Sequence, residues 1–421
     1  MKKALIALLL LPLFCAAPAM AAEPLTLAEA LATAKKNHPQ IEEAAAALTA
    51  SDAKLGQVKA NYWPQINLSA DWNKSDTYLP TLGAMKETEM SSTAVVVRQN
   101  IYDFGRTAGA AAAARGVKAA AAENLAASRQ DVSFRLKTAW YLLFAAEQQV
   151  EASRKTVAAR EALARQATEF FKHGTRSKVE AARAEATLFA GKSLLIRAEN
   201  NRDLAKLELA NAMGVMSLDD RPLRETGTVT SPVPENLATL RDTALTGRSE
   251  MKRLAALRDA ASGSLRSAKS GYLPTLSGMA SVGDAGQSML PEERAWALGV
   301  NLSLPVFSGF ATKEQVREAD ALIQGVEAQQ KSLRMQIGKE VESAWLAIKE
   351  ARARFEENAK ETAAAQESQR LSMERYKEGL GTMVEAIDAQ AQAMNAETAR
   401  IQAGYDEKIA LARLDRALGK E

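Results

Sequence analysis

Slid along itself, the sequence matches in two halves. Leu27-Ala-Glu-Ala-Leu31 faces Leu237-Ala-Thr-Leu-Arg241 at an offset of 210 residues, and Tyr62-Trp-Pro-Gln-Ile66 faces Tyr272-Leu-Pro-Thr-Leu276 at the same offset. Farther on the offset is 205. Tyr102 faces Phe307, Ala139-Trp140 faces Ala344-Trp345, and Gly174 faces Gly379. Val179-Glu-Ala181 likewise faces Val384-Glu-Ala386, and Met213-Gly214 faces Leu418-Gly419. Self-similarity of this kind means that one supersecondary plan is used twice, which removes most other folds from consideration. The offset changes by five between Pro64 and Tyr102, so a loop there is expected to be longer in the first half.

The plan is clearest around Arg294–Phe310. Trp296, Leu298, Val300, Leu302 and Leu304 alternate with Ala295, Ala297, Gly299, Asn301 and Ser303. A period of two marks a strand with one apolar and one small or polar face. Pro305, with no N–H to donate, ends the ladder, and from Val306 to Glu421 there is no further proline. A strand with one apolar face therefore runs into a very long helix. In the first half a helix is expected from Leu27 to about Tyr62, with Thr26 as N-cap and Glu29 at capping-box spacing. A strand follows with Ile66, Leu68, Ala70 and Trp72 on one face, then a polar loop around Leu79–Ser91, then a strand through Val95 and Val97 to Tyr102. The second half repeats this, with a loop around Gly283–Glu293.

From Gly105 a helix of about 68 residues is expected, close to 100 Å at 1.5 Å per residue. Leu136, Leu143, Val150, Val157, Ala164 and Phe171 repeat at heptad spacing, as do Ile337, Ala344 and Ala351 with Val341, Ile348 and Phe355 in the other half. This is coiled-coil patterning, and the abundant alanine lets helix backbones approach closely. Gly174 and Gly379 turn the chain back into return helices that run to Gly214 and Gly419. The domain plan is then 22–214, a proline-bearing linker 215–236, and 237–421.

Chemistry is excluded by inventory. The only cysteine, Cys15, lies in an N-terminal run of Met-Lys-Lys, an apolar stretch to Phe14, and Ala19-Met-Ala21, which has the form of a secretory signal peptide over 1–21. Beyond it stand only His38 and His173, with no phosphate-binding glycine loop and no metal-spaced cluster, so neither an enzyme nor a cofactor site is expected. His38, beside Pro39, is expected to end a helix. A net charge of +3 without a clustered basic face gives no case for nucleic acid.

The strands raise a counting problem. Four strands cannot close a barrel, and an open edge cannot face lipid with its N–H and C=O groups unsatisfied. Outer-membrane barrels have eight strands or more, so the chain must associate, two copies giving eight strands and three giving twelve. Trp63, Trp72, Tyr102, Trp296 and Phe307 cluster around the strands and fit an aromatic girdle at the membrane–water interface.

The export signal, the duplicated helix–strand–loop–strand–helix plan, Tyr62-Trp-Pro64, Pro305-Val-Phe-Ser-Gly309 and Tyr376-x-x-Gly379 together resemble the TolC family of outer-membrane efflux proteins, over essentially the whole mature chain. The resemblance implies a mainly α fold with a small β part: duplicated long antiparallel coiled-coil helices forming an α-barrel in the periplasm, and four strands per chain in a homotrimeric, twelve-stranded transmembrane β-barrel set in outer-membrane lipid. It implies an exit duct for small molecules, metal ions or exported protein, working with a periplasmic adaptor (membrane fusion) protein and an inner-membrane transporter. It places adaptor docking at Gly174, Thr175, Ser177, Gly379, Gly381 and Thr382, an acidic periplasmic gate at Glu385 and Asp388, and a closed-state latch at Tyr376 and Glu180. The latch arginine expected two residues after Gly379 is Gly381 here. Arg176, in the other half's tip, is no clear substitute on sequence alone, which leaves the latch weaker or built differently. The competing reading is a periplasmic coiled-coil scaffold or adaptor that binds partners without conducting; it has no use for strands with a lipid-type face.

Overall fold

The computed structural model describes residues 24–81, 83–218, 221–224 and 236–421. The expected signal peptide, and much of the expected linker, lie outside the described residues. Helices α1 (Leu27–Asn37) and α2 (Pro39–Lys59) lead through a 3-10 turn into β1 (Gln65–Leu79) and β2 (Ala84–Tyr102), followed by α3 (Arg106–Lys172) and α4 (Lys178–Met213). The order then recurs as α5 (Leu237–Gly247), α6 (Ser249–Lys269), β3 (Thr275–Gly286), β4 (Glu293–Ser303), α7 (Ala311–Lys377) and α8 (Met383–Ala417).

Local chemistry sets these boundaries. Thr26 and Glu29 form the predicted capping box, with the Thr26 hydroxyl accepting from the Glu29 N–H at 3.3 Å and the Glu29 carboxylate from the Thr26 N–H at 3.1 Å. The helix expected to be continuous from Leu27 to Tyr62 is in fact broken at His38. Pro39 supplies no N–H and pushes the residue before it out of the helical region. His38 is accordingly extended, and its Nδ1 accepts from the Gln40 N–H at 3.2 Å, capping α2 as a helix-terminus residue should.

All four strands form one antiparallel sheet in the order β1-β2-β3-β4. Here too the sequence expectation needs correction. The first polar stretch placed in a loop, Leu79–Ser91, belongs largely to strands, whereas the second, around Gly283–Glu293, is a loop over 287–292 with strand on either side. β1 ends at Leu79, Gly83 stands at φ +62°, and β2 is paired from Ala84 onward. The additional residues of the first half therefore lengthen a ladder. Lys74 pairs with Glu87, Trp72 Nε1 donates to Glu89 at 3.0 Å, and the Ser75 and Thr88 hydroxyls meet at 3.2 Å. Cross-strand pairs of this kind hold a polar ribbon together without an apolar face.

At each strand-to-helix corner two consecutive residues adopt left-handed backbone: Phe104 (φ 53°) with Gly105 (φ 96°), and Gly309 (φ 59°) with Phe310 (φ 67°). A bulky side chain at positive φ is uncommon and needs surrounding structure to hold it. Aromatic packing supplies this, with Tyr102 edge-on to Phe104 at 4.6 Å and Phe307 edge-on to Phe310 at 5.5 Å.

The helical part is organised on α3. Away from the sheet it packs on α4 and α8, and near the sheet it lies against α6 and α2. Val132, Leu136, Trp140 and Leu143 of α3 are buried against Ala30, Ala34, Leu209 and Met213, and Ile337, Val341 and Ile348 of α7 make the equivalent core with Leu240, Ala244 and Leu414. The heptad holds where α3 has a helical partner on that face. Phe171, the last residue of the series, is exposed.

The α3–α6 contact is backbone to backbone. A Cβ on Gly263 would lie 2.4 Å from the Ala113 nitrogen, one on Gly109 2.6 Å from the Ser267 nitrogen, and one on Gly116 2.6 Å from the Ala260 nitrogen. An ionic cluster ties four helices together farther along. Arg416 of α8 donates to Asp131 of α3 at 2.6 Å and to Glu250 of α6 at 2.5 Å, while Arg248 contacts both Glu250 and Glu340 of α7. Burial pushes the Glu250 carboxyl upward, but the two guanidinium groups outweigh this and hold it at about 2, so it stays ionised far below neutral pH.

The seam makes a direct prediction. Gly263→Ala must force α3 and α6 apart, an overpacking that costs about 1–3 kcal/mol. Gly325→Ala, at a helical position where an added Cβ meets nothing within 4 Å, should be neutral or slightly stabilising. Thermal unfolding followed by circular dichroism distinguishes them: equal midpoints for the two variants would refute the close-approach account.

Candidate functional site

Two regions of this fold bring together the residues singled out from the sequence. The first is the sheet. Residues directly opposed in an antiparallel ladder share a face. Leu68 is opposite Val95, Val95 opposite Val282, and Val282 opposite Trp296; Ile66, Val97, Ala280 and Leu298 form the next row. This face is continuous across all four strands and lies open, with Leu68 at 73%, Trp296 at 76% and Leu298 at 77% exposure. A contiguous apolar surface of this kind marks an interaction site. The opposite face carries Gln65, Asn67, Ser69, Ser277, Ser281 and Asn301. Both outer strands, β1 and β4, have one edge without a partner. Among the described residues no helix is long and apolar enough to cross a membrane.

The aromatic residues singled out from sequence all surround this sheet, and all are exposed. Trp63, Tyr102 and Phe307 sit at the end of the sheet that joins the helices, beside Pro64, at the end of β2 and just after β4. Trp72 and Trp296 lie farther along their strands, on the apolar face.

The second region is the pair of helix turns at the far end. Gly174 (φ +68°) and Gly379 (φ +78°) take the left-handed conformation that closes a helix without a Cβ penalty. After the first, the Thr175 N–H and hydroxyl both donate to the Phe170 carbonyl, at 3.0 and 2.9 Å, and Ser177 begins α4. After the second, the Leu380 and Gly381 N–H groups donate to the Arg375 carbonyl at 2.8 and 2.9 Å. Thr382 then caps α8. Its hydroxyl accepts from the Glu385 N–H at 3.2 Å, and one Glu385 carboxylate oxygen accepts from the Thr382 N–H at 3.4 Å. Glu385 is thus the acidic half of a capping box. It shares an exposed face of α8 with Asp388, three residues on.

Tyr376 is fully buried between the two hairpins, among Leu163, Ala167, Ala184, Met383 and Ala386. Its hydroxyl donates to Glu180 at 3.4 Å. Burial, then the neighbouring Glu180 carboxylate, pushes the Tyr376 phenol up to about 12. The structure brings a third partner to this pair, and it corrects the sequence expectation about Arg176. The Arg176 guanidinium lies 5.4 Å from the centre of the Tyr376 ring, 3.8 Å from Glu180, and donates to the Gly381 carbonyl at 3.1 Å. An arginine from the first tip therefore reaches the second tip at the position where the expected arginine is a glycine.

A sequence profile described as outer membrane efflux protein matches residues 30–215 and 240–420. The outer membrane efflux protein BepC of Brucella suis biovar 1 (strain 1330) is 24% identical over 404 residues, covering 94% of this chain and 85% of that protein. The outer membrane protein TolC of Escherichia coli (strain K12) is 24% identical over 415 residues, covering 92% of this chain and 80% of that one. Among solved structures, the Campylobacter jejuni CmeC outer membrane channel superposes with a TM-score of 0.84 at 18% identity, over 93% of this chain and 85% of that one. At that identity the likeness is one of fold.

The tip geometry predicts that Arg176→Gln releases the Gly381 carbonyl and the Tyr376–Glu180 pair together. Amide hydrogen exchange should accelerate at least about tenfold at 174–181 and 379–385, with α3 and α7 unchanged near the sheet. Unchanged exchange at 379–385 would mean that the cross-tip contact does not stabilise the turn.

Proposed function

The chain belongs to the outer membrane efflux protein family, and from that membership we propose that three copies of it close a single duct, gated at the helix-turn tips. It is an outer-membrane efflux channel and not an enzyme. The observation that carries it is the four-stranded sheet with two free edges and one open apolar face. Pairing β4 of one copy with β1 of the next satisfies both edges and gives twelve strands. The apolar face then meets lipid, Trp63, Trp72, Tyr102, Trp296 and Phe307 settle toward its interfaces, and the small, polar face lines the bore. In this reading residues 1–21 direct export and are removed, and 22–214 and 237–421 are the two repeats, joined by 215–236.

The helices carry the bore into the periplasm. Helices of 67 residues extend about 100 Å, so the tips stand far from the membrane. Exposed Val179, Leu380 and Val384 beside Gly174, Thr175, Ser177, Gly379, Gly381 and Thr382 offer an adaptor protein an apolar ridge on a rigid turn. The adaptor in turn couples the duct to an inner-membrane transporter. The competing scaffold reading has no use for the open apolar face.

Glu385 and Asp388 are assigned as the gate. Threefold symmetry places six carboxylates around one passage. Two unit charges about 8 Å apart interact by ~2 kcal/mol at an effective dielectric near 20, enough in sum to enrich cations at the mouth. Tyr376, Glu180 and Arg176 hold the two hairpins of each copy together and so keep the gate narrow.

Two measurements test this reading. The protein in detergent should have the mass of three chains, and a monodisperse monomer or dimer would remove the architecture. In planar bilayers, Glu385→Gln/Asp388→Asn should lower the cation-to-anion permeability ratio by about threefold or more and abolish block by a trivalent cation. A double variant with the parental selectivity and the parental block would show that the gate lies elsewhere.

A further inference from the structure

Across the rows that span all four strands, the face of the sheet assigned to the bore carries a single basic residue. The row nearest the helices that crosses all four strands is Gln65, Arg98, Met279 and Gly299. The next two rows outward, from Asn67 to Ala297 and from Ser69 to Ala295, hold only Asn, Ser, Val, Ala and Gly. Gly283 within them admits no side chain, since a Cβ there would fall 1.9 Å from the Thr93 carbonyl oxygen. Charge returns only at the outer row, with Asp71 and Glu293.

Arg98 is exposed, and among the described residues its side chain has no hydrogen-bond or ion-pair partner. Beneath it a cavity of about 740 Å³ opens where the sheet meets the helices. Arg98 and Arg106, the first residue of α3, both line it, with amide and hydroxyl groups from Gln65, Asn100, Ser277 and Asn301. The carboxylate in its wall, Asp103, is already committed. It accepts from the Thr107 N–H at 2.8 Å and the Thr107 hydroxyl, from the Gly105 N–H at 3.2 Å, and from Asn100 at 3.0 Å. The Arg106 side chain, like that of Arg98, has no carboxylate partner among the described residues.

We propose that Arg98 and Arg106 form an oxyanion-binding station in the bore, at the junction of sheet and helices, which takes the carboxylate or phosphate of an anionic cargo on its way out. The inference rests on the channel reading above. Guanidinium groups are permanently charged and match oxyanions with a fork of parallel donors. Held in a concave passage with low-dielectric walls, they concentrate anions more strongly than the same groups on an open surface. Three copies would set a basic belt here, opposite in sign to the gate proposed at the far end. The uncharged rows beyond it let a bound anion leave without meeting a second basic site.

The test uses the assembled protein in planar bilayers, with inorganic tripolyphosphate added on the sheet side. The parental channel should show concentration-dependent block. Arg98→Gln should raise the half-blocking concentration at least about tenfold, Arg98→Gln/Arg106→Gln further, and Arg98→Lys much less, with the open conductance retained. A conducting parental channel without block would overturn the proposal, as would block unchanged in the double variant, and the channel reading would stand in both cases. Protein that assembles but never conducts would instead remove the channel reading, and the station with it.

Discussion

The structure depends on the hydrogen-bonding groups along the two free edges of its sheet. In water such edges are tolerable; in hydrocarbon each unpaired N–H and C=O costs several kcal/mol, and no side chain of the apolar face can supply the missing partner. In the proposed assembly the fold is therefore incomplete as a single chain, and its four-stranded sheet, the one sheet among the described residues, becomes membrane-competent by closing on copies of itself. The alternation of Trp296, Leu298, Val300 and Leu302 with Ala, Gly and Asn follows from that closure: one wall faces lipid and the other lines a passage.

The helical part meets the opposite demand, that of holding long rods side by side over their whole length. It does so with small residues near the sheet and branched or aromatic ones farther along. The glycines of α3 and α6 bring two backbones into contact, whereas Leu136, Trp140 and Leu143 fill a wider space where α1 and α4 converge. Arg416, Glu250 and Arg248, largely out of solvent, then link the halves with Asp131 and Glu340 at the cluster's wetter margin. Buried groups of that sort are weak contributors to net stability but strongly disfavour any arrangement that separates them, which fixes the order of the helices around α3.

Much of this was legible in the sequence. The offsets of 210 and 205 recur in the element boundaries themselves, with α2 and α6 beginning at Pro39 and Ser249, and α3 and α7 at Arg106 and Ala311. Hydrophobic period located the apolar parts of the strands and was silent on the rest. Asn73, Lys74, Ser75 and Asp76 form a strand wet on both sides, so no alternation of polarity betrays it. The break at His38 was signalled by Pro39 and outweighed by the surrounding helical pattern. Arg176 was hidden for a different reason. Its contact joins residues 205 positions apart and is made to the Gly381 backbone carbonyl, which any residue type would offer, a fact of tertiary geometry with no local signature. The small residues at Gly109, Gly116 and Gly263 were visible, but only the structure shows that they meet.

The two hairpins end at different heights. The last residue of β2 with a partner in β3 is Ser91, opposite Gly286, and from there to the turn β1 and β2 continue alone. In the proposed barrel, of the two copies of the repeated plan only the first reaches beyond the closed wall, and it does so as an exposed two-stranded ribbon. Duplication has thereby separated two evolutionary burdens. In that barrel the second hairpin is bound by the geometry of the wall, while the tip of the first is held only by its own cross-strand pairs, so its surface can change its identity without disturbing the duct.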